Sequence, residues 1–186
     1  GLLTVPLYQE RIVLVVAPGH PILRRWPTGV PFEALADLPL IAHPAAKSTI
    51  RPIWEQRLRQ EGVEPRVELE FETNEPIKQV IGEGIGAAFL LSSSVGHELD
   101  ARQLEITPLK GHPILAQFVL ARVPHRAGPP ALRDLLHMLI SRLEGDRNAY
   151  SVNRDAVAQL IPDKRFSRSQ PRYNVTRAFE HTQQRE

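Results

Sequence analysis

Hydroxyl and amide side chains stand at two points where the sequence begins a helix. The first is Ser48-Thr49, before a helix predicted to run to about Gln60, and the second is Thr73-Asn74, after a predicted strand. A helix start leaves backbone amide hydrogens unpaired and carries a partial positive charge, so it can bind an anion. The same hydroxyls can instead accept one of those hydrogens and cap the helix. Both roles stay open at this point.

Other chemistries find no support in the residue types. The chain has no cysteine, and its seven histidines show no metal-ligand spacing. No Ser/His/Asp set or pair of carboxylates can be singled out, and His20 is expected to occupy a turn. The glycines at 82, 84 and 86 follow a helix and precede a strand, the reverse of the dinucleotide-binding order, so they predict a tight turn. We expect no metal, no cofactor and no catalytic residue.

Composition and charge favour a folded domain followed by a different segment. Of 186 residues, 42% are hydrophobic, and no apolar run approaches the length of a membrane helix. Residues 1–143 hold 15 Lys/Arg and 15 Asp/Glu, whereas residues 144–186 hold 8 and 6. The neutral part lacks the basic footprint of a nucleic-acid-binding surface. The basic tail has little periodicity and one weak helical patch at 155–161, so it is expected to be poorly ordered, packed on a partner, or translated out of frame.

Hydrophobic periodicity predicts strands that alternate with helices. Strands are expected at 7–17, 38–43, 67–72, 87–91, 104–109 and 114–123, and helices at 31–36, 48–60, 73–81, 93–99 and 130–143. In the third strand, Val67, Leu69 and Phe71 are expected to face inward, with the alternating glutamates in solvent. The last helix is expected to bury one leucine stripe. That stripe comprises Leu132, Leu135, Leu136, Leu139 and Leu143. The alternation of elements predicts α/β architecture with a mixed, largely parallel sheet.

Four segments, in this order, resemble the effector domain of LysR-type transcriptional regulators. They are the strand and Gly-His-Pro turn at 10–21, FEALADLPLI at 32–41, KSTIR at 47–51, and EPIKQVIGEGIGAAFL at 75–90. The fourth segment is the most specific of them. The resemblance extends over about residues 7–143.

The resemblance implies a periplasmic-binding-protein-like (type 2) fold with two α/β lobes. Residues 1–16 would be a crossover strand and remnant of the first lobe, and 17–114 the complete second lobe. Residues 115–143 would be the return strand and closing helix of the first lobe, and 144–186 the basic tail. The winged helix-turn-helix, the linker helix and most of the first lobe would precede Gly1, and we interpret the start as a cut within a longer protein.

The resemblance also implies a function and a site. The domain would bind a small anionic or carboxylate effector between its lobes, and in the intact parent this would control transcription. Effector-binding candidates are Ser48, Thr49, Arg51, Thr73 and Asn74. The parent would be cytoplasmic and would self-associate through lobe edges. It would contact DNA only through the helix-turn-helix, and the chain would be neither an enzyme nor a membrane protein.

Two other classes share the two-lobe fold. One is a solute-binding protein for small-molecule uptake, which a signal peptide upstream in the gene would indicate. The other is an enzyme, which would convert a bound ligand rather than retain it unchanged.

Overall fold

The computed structural model describes residues 2–122, 130–145 and 149–153. Within them the strands are β1 (Leu3–Val16), β2 (Leu40–Ala42), β3 (Val67–Glu70), β4 (Ala88–Leu91), β5 (Glu105–Thr107), β6 (Ile114–Arg122) and β7 (Ala149–Val152). The α-helices are α1 (Pro21–Arg25), α2 (Arg51–Gln60), α3 (Asn74–Gly82), α4 (Gly96–Asp100) and α5 (Pro130–Gly145). Short 3-10 turns cover Phe32–Leu35, Ala45–Lys47 and Ser92–Ser94.

The chain divides into two compact units. One is residues 10–116, and the other combines residues 1–9 with the chain from residue 117 onward. These divisions fall near the expected lobe boundaries at 16/17 and 114/115. The assignment of the units to lobes of the family stays a prediction.

Strand β1 is the centre of the larger sheet. It pairs antiparallel with β4, through Ile12–Leu91 to Val15–Ala88, and with β5, through Leu14–Thr107 to Val16–Glu105. Strands β6 and β7 also pair with β1. The run Leu14-Val15-Val16 is buried because the sheet is covered on both faces there, as its continuous apolar sequence predicts.

The parallel part of the architecture lies in β2 and its neighbours. Strand β2 pairs parallel with β3, and single parallel bridges join Leu40 to Ala87 and Val30 to Leu109. The expectation of a mixed α/β fold is confirmed, with parallel pairing at β2 and antiparallel pairing at β1.

The core of residues 10–116 joins both parts of the architecture. Its central cluster is formed by Val15, Ile41, Ile77, Ile81, Ala88, Leu90, Val95 and Leu104. Trp54 of α2 is buried and stacks on Phe89 of β4 with ring centroids 5.0 Å apart. This contact holds α2 against β4, and β4 ends near the first residues of α2.

The burial predicted for the side chains of β3 is wrong. Leu69 was expected to face inward, but it is 42% exposed, and Val67 and Phe71 are only half-buried. The reason is that, among the strands that the structure describes, β3 pairs only with β2 in a two-stranded sheet and is therefore an edge strand. The flanking glutamates are exposed as expected, although each of them also forms an ion pair.

In α5 the buried stripe is rotated from the expected one. Leu136 and Ile140 are buried with Leu7, and Leu143 packs against them. Leu135 and Leu139, expected on the same stripe, are exposed. Residues 136, 140 and 143 share a face at helical spacing, and positions 135 and 139 lie about 100° from it.

The first described residues of the tail have regular structure. Helix α5 continues to Gly145, and β7 pairs with β1. Asn153 N donates to Leu7 O at 2.8 Å. A four-residue strand is too short to show a reliable periodicity, which is why the sequence did not reveal it. The weak helical patch at 155–161 and the rest of the tail lie outside the described residues.

The glycine-rich turn is confirmed. Helix α3 ends at Gly82, and Gly84 and Gly86 have φ of +82° and +78° on the way to β4. A Cβ at Gly86 would lie 2.3 Å from Pro39 O, so only glycine allows this close approach. The turn brings the start of β4 beside β2.

Candidate ligand-binding site

A pocket of about 220 Å³ lies within the unit of residues 10–116, where three strands end. Its walls follow the carboxyl ends of β2, β3 and β4, and these strands are connected by parallel pairing. The lining residues are His43, Lys47, Ser48, Thr49, Ile50, Glu72, Asn74, Leu91 and Ser94. The carboxyl edge of parallel strands is where open α/β sheets bind ligands. Three of the five expected site residues, Ser48, Thr49 and Asn74, therefore meet in one pocket.

The start of α2 supplies two hydroxyls with different roles. Ser48 Oγ accepts from Arg51 N at 3.1 Å, so Ser48 satisfies one free amide of the first turn. The N-cap position itself is held by Ile50. Thr49 is exposed, and its hydroxyl has no hydrogen bond within the described chain. Capping is therefore confirmed for Ser48, whereas the Thr49 hydroxyl is free for a ligand.

Arg51 does not line the pocket. Its side chain is 12% exposed and donates from Nε to Glu55 at 2.6 Å and from Nη1 to Glu70 at 2.5 Å. Burial by itself would lower the pKa of Arg51, but the bonds and charges of the two glutamates outweigh it and raise the pKa. Nη1 also donates to His43 O at 2.8 Å. These acceptors hold the Arg51 side chain away from the pocket, and it braces the wall that carries His43.

The start of α3 contributes Asn74 but not Thr73. Thr73 occupies the N-cap position without a side-chain capping bond, is exposed, and is not among the lining residues. Asn74 lines the pocket, and its Oδ1 lies 2.8 Å from His43 Nε2. The neighbouring side chain therefore fixes Asn74 in place.

His43 is a pocket residue that sequence reasoning missed. It follows β2 directly, and its Nδ1 lies 2.9 Å from Phe71 O. The ring thus joins the end of β2 to the loop after β3. The strand predicted over 38–43 included His43 as its last residue, whereas β2 ends at Ala42, so His43 was not among the polar residues selected at helix starts.

Lys47 and Glu72 form an ion pair at the pocket wall. Lys47 ends the 3-10 turn after β2, and Glu72 follows β3. Their side chains are 59% and 69% exposed, so the pair is in high dielectric and contributes little to stability. An incoming anion can compete with Glu72 for Lys47 at low cost.

The end of β4 is held by a buried carboxylate of β1. Glu10 is buried, and its Oε1 accepts from Ser93 N at 2.7 Å and from Ser92 Oγ at 3.3 Å. Ser94 Oγ in turn donates to Leu91 O at 2.7 Å. These bonds fix the wall of the pocket at the end of β4 before any ligand binds.

A larger cavity of about 500 Å³ lies between α3 and α4, and three of its charged side chains pair with one another. Lys78, 10% exposed, donates to Glu98 and Glu75, both at 2.7 Å. Burial alone would lower the pKa of Lys78 and raise that of Glu98, but their mutual attraction reverses both shifts. We interpret this cluster as a structural tie between two helices, and the smaller pocket carries the binding hypothesis.

Two further observations concern the described part of the chain alone. It contains no group of three or more histidine, aspartate or glutamate side chains placed to hold a metal ion. None of its helices has the length and apolar character needed to cross a membrane.

The architecture defines an α/β domain of the type 2 periplasmic-binding-protein-like fold. Solved regulatory domains show the same fold, among them that of Synechocystis PCC6803 CcmR in complex with 2-PG. The TM-score is 0.66 at 24% identity, over 76% of this chain and 66% of that one. The regulatory domain of MetR, a LysR family regulator from N. meningitidis, superposes with a TM-score of 0.67 at 17% identity, covering 82% and 70%. The effector-binding domain of QuiR in complex with shikimate gives 0.59 at 18%, covering 76% and 65%.

Residues 1–144 match the model of the LysR substrate binding domain, and the chain belongs to that family. It is 27% identical over 128 residues to the HTH-type transcriptional regulator CbbR of Xanthobacter flavus, covering 68% of this chain and 38% of that protein. It is 29% identical over 125 residues to a probable RuBisCO transcriptional regulator of Trichormus variabilis, covering 66% and 36%. The chain thus spans less than two-fifths of each of these relatives. Both are named as transcriptional regulators, which does not favour the solute-binding alternative.

Proposed function

We propose that the chain is the effector-sensing part of a LysR-type DNA-binding transcriptional regulator. The family match over residues 1–144 and the regulators related to it support this. Residues 17–114 act as the second lobe, and residues 1–16 and 115–143 belong to the first. DNA contact is made by a helix-turn-helix outside the present sequence, since residues 1–143 carry no excess of basic side chains.

The pocket at the strand ends binds a small anion, in this proposal. The observation that carries it is the convergence of Ser48, Thr49 and Asn74 at the carboxyl ends of three parallel-connected strands. The start of α2 contributes a partial positive charge, and Thr49 contributes a free hydroxyl beside it. The solved neighbours bind ligands of matching chemistry, since 2-PG and shikimate both carry a carboxylate. We assign contact to these three residues and to Lys47, and a bracing role to Arg51.

The remaining properties of the parent follow from the same proposal. The effector binds one of two arrangements of the parent protein more tightly than the other. Its binding therefore shifts the equilibrium toward that arrangement, by an amount set by the difference in affinity. The bound effector is released unchanged, so the chain is not an enzyme, and the parent acts in the cytoplasm. Copies self-associate through lobe edges, for which β3, an edge strand with an exposed Leu69, is the candidate.

Calorimetric titration of the 186-residue chain with 2-PG and with shikimate tests the pocket. Thr49→Val removes the free hydroxyl at nearly constant volume. The loss of one hydrogen bond to a charged group is expected to weaken binding about tenfold. Thr28→Val, at an exposed threonine outside the pocket, is the matched control and should leave affinity unchanged. Failure of both ligands to bind, or equal effects of the two variants, would overturn the proposal.

A further inference from the structure

The imidazole of His43 is bonded through both ring nitrogens, and one of these bonds fixes a hydrogen. Nδ1 lies 2.9 Å from Phe71 O, a backbone carbonyl that can only accept. Nδ1 therefore carries a hydrogen in every state that keeps this bond. Nε2, which faces Asn74 at 2.8 Å, is the nitrogen whose proton can come and go.

The side-chain amide of Asn74 must match the state of Nε2. When the ring is protonated, Nε2 can donate to Oδ1, which is the Asn74 atom that faces it in the structure, and the NH2 group of Asn74 is left unbonded to His43. When the ring is neutral, Nε2 can only accept, so the amide must rotate and donate from Nδ2. The carbonyl oxygen of Asn74 then becomes the atom left for the pocket. When His43 is protonated, Asn74 thus presents its NH2 donor to the pocket instead of its carbonyl acceptor.

The charged groups around His43 do not supply a free positive charge. Lys47 and Glu72, which line the same pocket, pair with each other. Arg51 binds the backbone oxygen of His43, but its own charge is taken up by Glu55 and Glu70. The β4 side contributes Leu91 and Ser94, which are uncharged. Within the described lining, a protonated His43 is the cation without a carboxylate partner.

We propose that His43 determines the anion specificity of this pocket by setting Asn74 as a hydrogen-bond donor, so that anion binding is accompanied by uptake of one proton. This inference rests on the proposed function of the same site and specifies how that site is controlled. Loss of the proton from Nε2 turns the carbonyl oxygen of Asn74 toward the pocket, so the affinity for anions is expected to fall as the pH rises.

The test is calorimetry of the 186-residue chain between pH 5.5 and 8.5. The probes are 2-PG and inorganic sulfate, and sulfate is included because its charge does not change over this range. Titrations in buffers of different ionisation enthalpy measure proton uptake directly. Affinity for sulfate should fall by up to tenfold per pH unit at the alkaline end, with uptake approaching one proton. Binding that is independent of pH, without proton uptake, overturns the inference and leaves the proposed function standing. No binding at any pH counts against both.

Two variants localise the effect. His43→Gln should remove the pH dependence of sulfate binding, whereas His112→Gln, at an exposed histidine outside the pocket, should retain it. NMR of the unmodified protein provides a measurement that needs no variant. The side-chain NH2 resonances of Asn74 should shift with pH together with the ring resonances of His43. Amide resonances that do not respond while the ring titrates would overturn the inference.

Discussion

Gly86 is the residue at which the helix-to-strand turn comes closest to the chain that enters β2. Its backbone passes so close to Pro39 that no side chain fits between them, and Ala87 N donates to Pro39 O at 3.0 Å. The same turn leads into β4, which ends at the pocket. A change at Gly86 should therefore be felt in stability and in the position of the β4 end.

Gly86→Ala is expected to lower the free energy of unfolding by about 3 kcal/mol. The methyl group would overlap a backbone oxygen, and the positive φ adds strain of about 1 kcal/mol. Gly84→Ala is the matched control, because Gly84 has a similar φ but open space around its Cβ position, and it should cost only about 1 kcal/mol. Urea denaturation measures both variants. Equal losses would show that the contact with Pro39 carries no cost.

Residue chemistry could be read from the sequence better than residue surroundings. Ser48, Thr49 and Asn74 were found because polar residues at helix starts have a limited set of roles. The ion pairs of Arg51 were not predicted, although Glu55 lies four residues further along the chain, a spacing at which ion pairs form on a helix. The other carboxylate partner of Arg51, Glu70, is brought near by the pairing of β2 with β3. That pairing joins two segments that are far apart in the sequence, so no local sequence pattern predicts it.

Among the elements, α1 depends on a histidine for its cap. His20 Nδ1 accepts from Ile22 N at 3.2 Å, so the ring caps the helix only while Nδ1 is unprotonated. Burial lowers the pKa of His20 from its ordinary 6.5. The turn expected at this position is thus also a helix start.

Stability is expected to fall as the pH drops through the titration of His20. With its pKa lowered on folding, the folded chain binds fewer protons than the unfolded chain, so the contribution is complete above about pH 6.5. It decreases from there toward the folded-state pKa. Thermal unfolding of the wild type and of His20→Asn, which can cap but does not titrate, should differ in slope between pH 7.5 and 5. Parallel pH profiles would refute this role for His20.

Element types were predicted well, and the burial of their faces less so. Periodicity identifies which residues share a face, as Leu69 with Val67 or Leu135 with Leu139. It does not say whether another element covers that face. Strand β3 lies at a sheet edge and α5 is rotated toward Leu136 and Ile140, so the exposed leucines follow from the position of whole elements.

At the scale of the molecule, β1 takes part in both compact units. Its residues from Glu10 onward belong to one unit and those up to Gln9 to the other. At Leu14 and Val15, β1 has a hydrogen-bonded strand on each side, β4 and β5. The side chains of these two residues are both buried.

Hydrogen exchange should therefore be slowest in this part of β1. Amides of Leu14 and Val15 are expected to exchange only through global opening, because local opening would have to break two strand pairings at once. Amides of β3, an edge strand with an exposed Leu69, should exchange much faster. Mass spectrometry of peptides covering 11–17 and 66–72 compares them directly. Equal rates would contradict the central role assigned to β1.

The division of β1 also has a consequence for biosynthesis. The unit of residues 10–116 is contiguous, so all of its contacts become available as soon as that stretch has left the ribosome. The other unit joins residues 1–9 to the chain beyond residue 117, and its earliest residues must wait for its latest ones. A long loop has to close before residues 1–9 can pair with the chain from residue 117 onward, so that unit is expected to be completed last. During translation, residues 1–9 thus emerge before residues 10–116 but reach their final partners after them.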